Sequence, residues 1–227
     1  MVRRTLVVTG VVVLVVGAGA VVADHALRAA AEERIAGPVS HALGADGGAT
    51  VRIVEGRPFL LQVATGRLDH VTVTAAHLSL DGTDVTDAHM DAAGVTIRSP
   101  YTARDVTATG TVPTAAIQQR LTAKGLEVTV AVAGHDLRAS GTVLGLPWSV
   151  MLTPVAAGDR VTVDPTSADV AGVQVAADAL PASVKDVIAG VDVPVSGLPQ
   201  GLAITGAQVV AAGVEVTMTG RDVVLPG

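Results

Sequence analysis

The pattern of hydrophobic and polar positions divides the chain into three parts. An apolar run covers residues 5–23. Apolar residues then recur every fourth position through residues 24–43, which places them on one face of a helix. From Thr50 onward, apolar and polar positions mostly alternate, which is the period of half-buried β-strands. The pattern therefore predicts an export or membrane segment, a helix and a β-rich region.

The first apolar run has the character of an export element. Arg3 and Arg4 precede it, and positive charge before an apolar run is typical of a secretion signal. The run is also long enough to span a bilayer, while Val21-Val22-Ala23 offers a small residue at a cleavage point before Asp24. A cleaved signal and a retained anchor both fit. In either case the two arginines predict that the rest of the chain lies outside the cytoplasm, anchored to the membrane or secreted.

We expect three segments with different roles. Residues 1–23 form the signal peptide or anchor, residues 24–44 form a helix that leads into the domain, and residues 45–227 form a single β-rich domain. The last segment is long enough to bury one hydrophobic core.

Two helices and two hairpins are predicted within the β-rich domain. Residues 113–124 have the spacing of a short amphipathic helix that stops at Gly125, and a second helix is predicted at residues 181–189. Gly134-His135-Asp136 and Ala157-Gly158-Asp159 each separate two alternating segments, so each predicts a hairpin turn.

The stretch from Val51 to Gly66 holds the only phenylalanine of the chain, Phe59, directly after Gly56-Arg57-Pro58. Apolar residues lie on both sides of this turn, and their alternation predicts two strands joined by it. We expect the stretch to form the rim and first wall of an apolar cavity.

Composition supports a β-structure made of small side chains. Hydrophobic residues make up 49% of the 227 positions but aromatic residues only 1%, so Val, Ala and Leu supply most of the apolar mass. Branched side chains favour strands. Because cores usually depend on aromatic bulk, such a domain either packs many small residues tightly or leaves a cavity. Both outcomes fit the composition.

Charge and cysteine content exclude several classes of function. The formal net charge is −6 and no basic run is present, which argues against a nucleic-acid partner. The chain contains no cysteine, so it has no disulfide, no thiolate nucleophile and no cysteine-based metal site.

Three arginines flank the Phe59 stretch: Arg52, Arg57 and Arg67. They are either ordinary exposed charges at strand ends or a cluster that meets an anionic headgroup, because guanidinium groups bind phosphate in a bidentate manner. The residues alone leave both readings open.

The three aromatic residues, Phe59, Tyr101 and Trp148, each follow a proline. Aromatic side chains with a polar group favour boundaries between apolar and wet regions, but these residues also suit a core. Gly56-Arg57-Pro58-Phe59 is echoed by Gly145-Leu146-Pro147-Trp148, which indicates either repeated hairpin turns or an old duplication.

Candidate catalytic and metal sites are weak. Asp87, His89 and Asp91 would share one face of a strand and could bind a metal, but a solvated strand face explains them as well. No Gly-x-Ser-x-Gly motif is present, and neither Ser149 nor Ser196 has a nearby histidine with a third partner. We predict no catalytic residues, no metal ligands and no cofactor.

Two blocks carry a resemblance to a known family. The first runs from Val54 to Gln62, Val-Glu-Gly-Arg-Pro-Phe-Leu-Leu-Gln, and is followed by Gly66. The second runs from Val193 to Leu202 and is followed by Ala212-Gly213-Val214 and Gly220. With the N-terminal segment and its helix in the same order, they make the chain resemble the actinobacterial phospholipid-binding envelope proteins similar to the mycobacterial lipomannan elongation factor.

The resemblance implies an α+β fold similar to tubular lipid-binding proteins, in which a long curved antiparallel β-sheet is wrapped around one or two helices. It implies a protein outside the cytoplasmic membrane that binds a phospholipid, with phosphatidylinositol among the candidates. It also implies a role in the assembly or maintenance of envelope lipids or glycolipids such as lipomannan. It implies no enzymatic activity.

On this reading, the lipid-binding residues are those of the Phe59 stretch, its arginines and the other aromatics. They are Arg57, Phe59, Leu61, Arg52, Arg67, Tyr101 and Trp148. An envelope enzyme acting on a glycolipid and a structural or partner-binding envelope protein are the alternative functions.

Overall fold

The structure is a computed structural model that describes residues 24, 26–34, 36–37, 48–54, 56–80, 83–143, 145–176, 193–194 and 198–225. The predicted signal or anchor at residues 1–23 and the predicted helix at 181–189 lie outside the described residues. Within the described part of the chain, no helix is long and apolar enough to cross a membrane.

The described residues form three helices and twelve strands. The helices are α1, which comprises the described residues of 24–37, α2 (Phe59–Thr65) and α3 (Thr114–Ala123). The strands are β1 (Ala49–Val54), β2 (Arg67–Leu80), β3 (Thr83–Thr96), β4 (Thr102–Pro113), β5 (Thr129–Ala133), β6 (Asp136–Val143), β7 (Leu146–Ala156), β8 (Arg160–Val170), β9 (Val173–Val175), β10 (Val193–Pro194), β11 (Leu202–Val210) and β12 (Gly213–Val224).

The strands pair antiparallel in two sheets. Sheet A has the order β1-β2-β3-β4-β12-β11. Sheet B has the order β10-β8-β7-β6-β5, and β9 also pairs with β8. A single bridge between Gly158 and Ile204 connects the turn after β7 with strand β11. The predicted α+β class with a mainly antiparallel sheet is confirmed, and the strand pairings divide that sheet into two.

Local patterns account for most of these elements. Helix α3 buries Ile117 and Leu121, and both predicted hairpins form, between β5 and β6 and between β7 and β8. The side chain of Gln118 ties α3 to the strand that follows. Its Oε1 accepts a hydrogen bond from Val130 N at 2.8 Å, and its Nε2 donates to the carbonyl of Val128.

The prediction of two strands in the Val51 to Gly66 stretch is wrong in its second half, because Phe59–Thr65 is helix α2. Pro58 precedes the helix in an extended conformation, and Leu61 N and Gln62 N donate to its carbonyl at 3.0 and 3.2 Å. Gly66 ends the helix at φ 73°, a left-handed conformation that glycine adopts without strain. Proline at the entrance and glycine at the exit therefore limit the helix to seven residues.

The two similar Gly-x-Pro-aromatic sequences, which end at Phe59 and at Trp148, do not adopt the same structure. Phe59 begins helix α2, whereas Trp148 lies within strand β7. Gly141 faces Trp148 across the β6–β7 pair, and a Cβ at this glycine would lie 3.2 Å from the indole ring. Similar sequence at the two turns therefore produces different local structure.

Two main hydrophobic clusters form the interior. The first lies on sheet A, includes Phe59, and has Ala31 and Ala36 of α1 packed against it. The second combines α3, residues of β5 to β8 and Val214 of β12, and it contains Trp148. Sheet A and sheet B thus share the second cluster, while α1 and α2 contribute to the first.

Helix α1 also covers the edge of sheet A. Among the described strands β1 pairs only with β2, so the N–H groups on its other side need another acceptor. Glu32 supplies one, since its Oε1 accepts a hydrogen bond from Ile53 N at 2.8 Å. The contact fixes α1 against the edge strand.

Candidate lipid-contacting site

Helix α2 directs its larger aliphatic side chains outward. Leu60 is 44% exposed, Leu61 51% and Val63 38%, while Phe59 and Gln62 face the interior. With about 100° between successive residues, positions 60, 61 and 64 share the side opposite Phe59 and Gln62. A short helix that buries an amide and exposes leucines has the reverse of the usual polarity for a helix facing water.

Asp24 holds the first turn of α2. Its two carboxylate oxygens accept hydrogen bonds from Phe59 N at 2.9 Å and from Leu60 N at 2.7 Å. The first N–H groups of a helix have no partner within it, and a carboxylate at this end is favoured by the helix dipole. Asp24 is buried, and it follows directly after the apolar run of residues 5–23.

Gln62 connects α2 to the elements on both sides of it. Its Nε2 donates to the Arg57 carbonyl at 2.7 Å, and its Oε1 accepts from Asp69 N at 2.7 Å. The side chain is fully buried, so both amide groups need these partners. Gln62 therefore joins the turn before the helix to the start of β2.

Arg57 and Asp69 form an exposed ion pair beside α2. Arg57 Nε donates to Asp69 Oδ2 at 3.0 Å, and Arg57 Nη2 donates to Asp69 Oδ1. The hydrogen bond from the guanidinium lowers the pKa of Asp69, and the same bond raises the pKa of Arg57. An anionic ligand that binds Arg57 has to compete with this carboxylate.

Arg52 and Arg67 are exposed on sheet A. Arg52 lies between the buried Val51 and Ile53 on β1, so it points to the opposite face of the strand. Arg67 follows the end of α2 and begins β2. Among the described residues, neither arginine has an acidic partner.

The structure separates the three aromatic residues. Phe59 is buried in the cluster of sheet A, and Trp148 is buried in the cluster shared by the two sheets. Tyr101 is 40% exposed just before β4. Around α2 the structure brings together Arg57, Phe59, Leu61 and Arg67. The role of all seven predicted residues in lipid binding stays a prediction.

Sequence reasoning missed Asp24 and Gln62, which position α2, and Leu60 and Val63, which extend its exposed apolar surface. A proline and a glycine that bracket seven residues were the available signal for a short helix. Nothing local indicates that Asp24 binds a helix end 35 residues later in the chain.

The Asp87, His89 and Asp91 group does not share one regular strand face. Asp87 has φ 53°, and the register of β3 against β4 shifts between Thr86 and His89. Asp91 accepts hydrogen bonds from the Thr72 hydroxyl at 2.9 Å and pairs with His89 Nε2 at 2.7 Å. The Thr72 hydrogen bond is the main cause of the lowered pKa of Asp91. In the described residues, no group of three or more His, Asp or Glu side chains is arranged to hold a metal ion.

Comparison with known proteins identifies the family. A search of curated proteins found no match, and a search of solved structures found none either. The family model described as LmeA-like phospholipid-binding matches residues 22–219, a range that begins just before Asp24 and ends within β12, the last strand of sheet A. Since this match covers most of the chain, the protein belongs to the LmeA-like phospholipid-binding family.

Proposed function

We propose that this protein binds a phospholipid non-covalently outside the cytoplasmic membrane. The acyl chains of this lipid would occupy an apolar cavity of the protein. The complex would support the assembly or maintenance of envelope lipids or glycolipids of the lipomannan type. The observation that carries the proposal is the family match over residues 22–219. The family is described by phospholipid binding, and we propose a binding role without catalysis. The arginines and apolar run at the N-terminus support the extracytoplasmic location.

The aliphatic interior suits acyl chains energetically. Removing acyl chains from water contributes about 0.8 kcal/mol per CH₂, so a chain of about sixteen carbons gains roughly 12 kcal/mol before ordering costs. Val, Leu and Ala supply most of the buried hydrophobic residues in both main clusters. Lipid binding at this strength requires no chemical step.

Headgroup recognition is assigned to Arg57 and Arg67, which flank α2, and to Arg52 on β1. Arg52 and Arg67 have exposed guanidinium groups that are available to a phosphate. Arg57 contributes if the phosphate displaces Asp69, which makes it a weaker first contact than Arg67. Phosphatidylinositol is among the candidate lipids that the family resemblance implies.

Lipid extraction tests the proposal. The full chain is purified from membranes of its expression host, extracted with organic solvent, and the extract is analysed by mass spectrometry. A phospholipid present at a fixed ratio to protein is expected. A protein that retains no lipid through purification and takes up none from phospholipid vesicles would refute binding.

Variants separate headgroup contacts from general charge effects. We expect Arg67→Glu and Arg52→Glu to reduce uptake of an anionic fluorescent phospholipid, because each replaces an attractive contact with a repulsive one. Arg138→Glu is the matched control, since Arg138 is an exposed strand arginine of sheet B and the charge change is identical. Equal loss in all three variants would contradict headgroup binding by Arg52 and Arg67.

A further inference from the structure

We propose that the exposed side of α2 rests on the surface of a phospholipid bilayer. The contact surface consists of Leu60 and Leu61, and its partner is the interfacial layer of the membrane that residues 5–23 are predicted to enter. This inference goes beyond the binding of a single lipid in a cavity. It assigns the domain one orientation on the membrane.

The polarity of α2 is the first argument. The helix buries Gln62 completely, while on the opposite side Leu60 is 44% exposed and Leu61 51%. Both buried groups of α2 are already satisfied, Phe59 by the cluster of sheet A and Gln62 by its two hydrogen bonds. The outward side therefore has no role in holding the helix in place, and an apolar surface of this kind favours contact with an apolar partner.

The position of Asp24, which directly follows the predicted signal or anchor, indicates the partner of α2. The apolar run that the sequence predicts as a signal or anchor ends at residue 23. The next residue, Asp24, binds the first two N–H groups of α2 through its side chain. Since one side-chain length separates Asp24 from the helix, a membrane that retains residues 5–23 as an anchor would lie beside α2. Leu27 of α1, three residues after Asp24, is 49% exposed and adds apolar surface to α1.

The charges around α2 match a phospholipid surface. Arg67 follows the helix directly after Gly66, whereas Arg57, which precedes it, is paired with Asp69 and meets a phosphate only by exchanging that partner. Aliphatic side chains flanked by arginine are the usual composition of a surface that lies in the interface, where cations meet lipid phosphates. The chain as a whole carries a net charge of −6, so general attraction to an anionic membrane does not explain this local arrangement.

Site-specific labelling tests the contact in the full chain. The protein contains no cysteine, so Leu61→Cys introduces a single attachment point for an environment-sensitive fluorophore. Leu146→Cys is the matched control, because Leu146 is 50% exposed and Leu61 51%. Both labelled proteins are reconstituted into vesicles of phosphatidylcholine and phosphatidylglycerol that carry a nitroxide quencher at the headgroup depth.

We expect emission from the Leu61 site to shift to the blue and to be quenched several-fold more than emission from the Leu146 site. Equal quenching at the two sites, or no quenching at Leu61, would overturn the proposal. A third measurement uses the detergent-solubilised protein with one nitroxide phospholipid bound per chain. Full quenching at Leu61 in that sample would also overturn it, because α2 would then line the binding site for a single lipid. Lipid extraction tests the proposed function in a separate experiment, so either proposal can fail without the other.

Discussion

Gln62 is predicted to determine the stability of α2 and of the turn before it. We consider Gln62→Met, which keeps the length of the side chain and removes both of its hydrogen bonds. The substitution leaves the Arg57 carbonyl and the Asp69 N–H without their partner. It does not change the exposed apolar side of the helix, so it isolates the buried amide.

The expected cost follows from the two hydrogen bonds. A typical intramolecular hydrogen bond contributes about 0.5–1.5 kcal/mol, and a buried group left unsatisfied costs about 1–3 kcal/mol. Arg57 lies in an exposed turn where water can replace the amide, and the thioether avoids the desolvation cost of the amide. We therefore expect the free energy of unfolding to fall by about 2 kcal/mol. This value lies between that for two hydrogen bonds replaced by water and that for two buried groups left unsatisfied. For a chain of this size the loss corresponds to about 4–8 °C in Tm.

Urea unfolding followed by circular dichroism measures this loss, and thermal unfolding checks it. Gln119→Met is the matched control, because Gln119 is exposed on α3 and its replacement is expected to change stability by less than about 0.5 kcal/mol. If the midpoints of the Gln62 and Gln119 variants coincide, the two hydrogen bonds do not stabilise the fold and the reasoning fails.

Three further predictions concern packing and charge. Gly110→Ala places a methyl group 2.8 Å from Val85 Cγ1, so we expect urea unfolding to show a free energy of unfolding lower by about 1–3 kcal/mol. Adding Val85→Ala should recover part of this stability, and strictly additive losses in the double variant would contradict the clash. The pKa of Asp91 is lowered in the folded state, so its contribution to stability is present above the ordinary aspartate pKa of about 3.9 and is lost as the pH falls through the lower folded value. Asp91→Asn should therefore flatten the decrease in unfolding free energy between about pH 5 and pH 2, and an unchanged pH profile would exclude this contribution. Trp148→Ala should lower the free energy of unfolding by about 3–5 kcal/mol and Tyr101→Ala by less than about 1 kcal/mol, because Trp148 is 5% exposed and Tyr101 40%. Chemical denaturation measures both losses, and comparable values would refute the assignment of Trp148 to the core.

The β-rich part of the fold could be predicted because its signals are local. Alternation along β5 and β6 and the turn at Gly134 are contained within about a dozen residues, and α3 carries its apolar spacing in its own sequence.

The candidate site was harder to predict because long-range contacts determine it. Seven residues are too few for helical periodicity to be distinguished from alternation, and Leu60 followed by Gln62 fits a strand equally well. The helix is held by Asp24, which is distant in the sequence, and by an amide whose partners lie on both sides. The prolines before the aromatics were a poor guide, because similar Gly-x-Pro-aromatic sequences lead into a helix at Phe59 and lie in a strand at Trp148.

The hydrogen bond between Glu32 and Ile53 has a consequence for self-association. An uncovered edge strand can pair with the same strand of another molecule, which is a common route to aggregation. Helix α1 occupies that position on β1, and α1 directly follows the segment predicted to lead to the membrane. The residues of α1 therefore also keep this edge of sheet A from pairing with another copy, so we expect proteolytic removal of α1 to increase self-association.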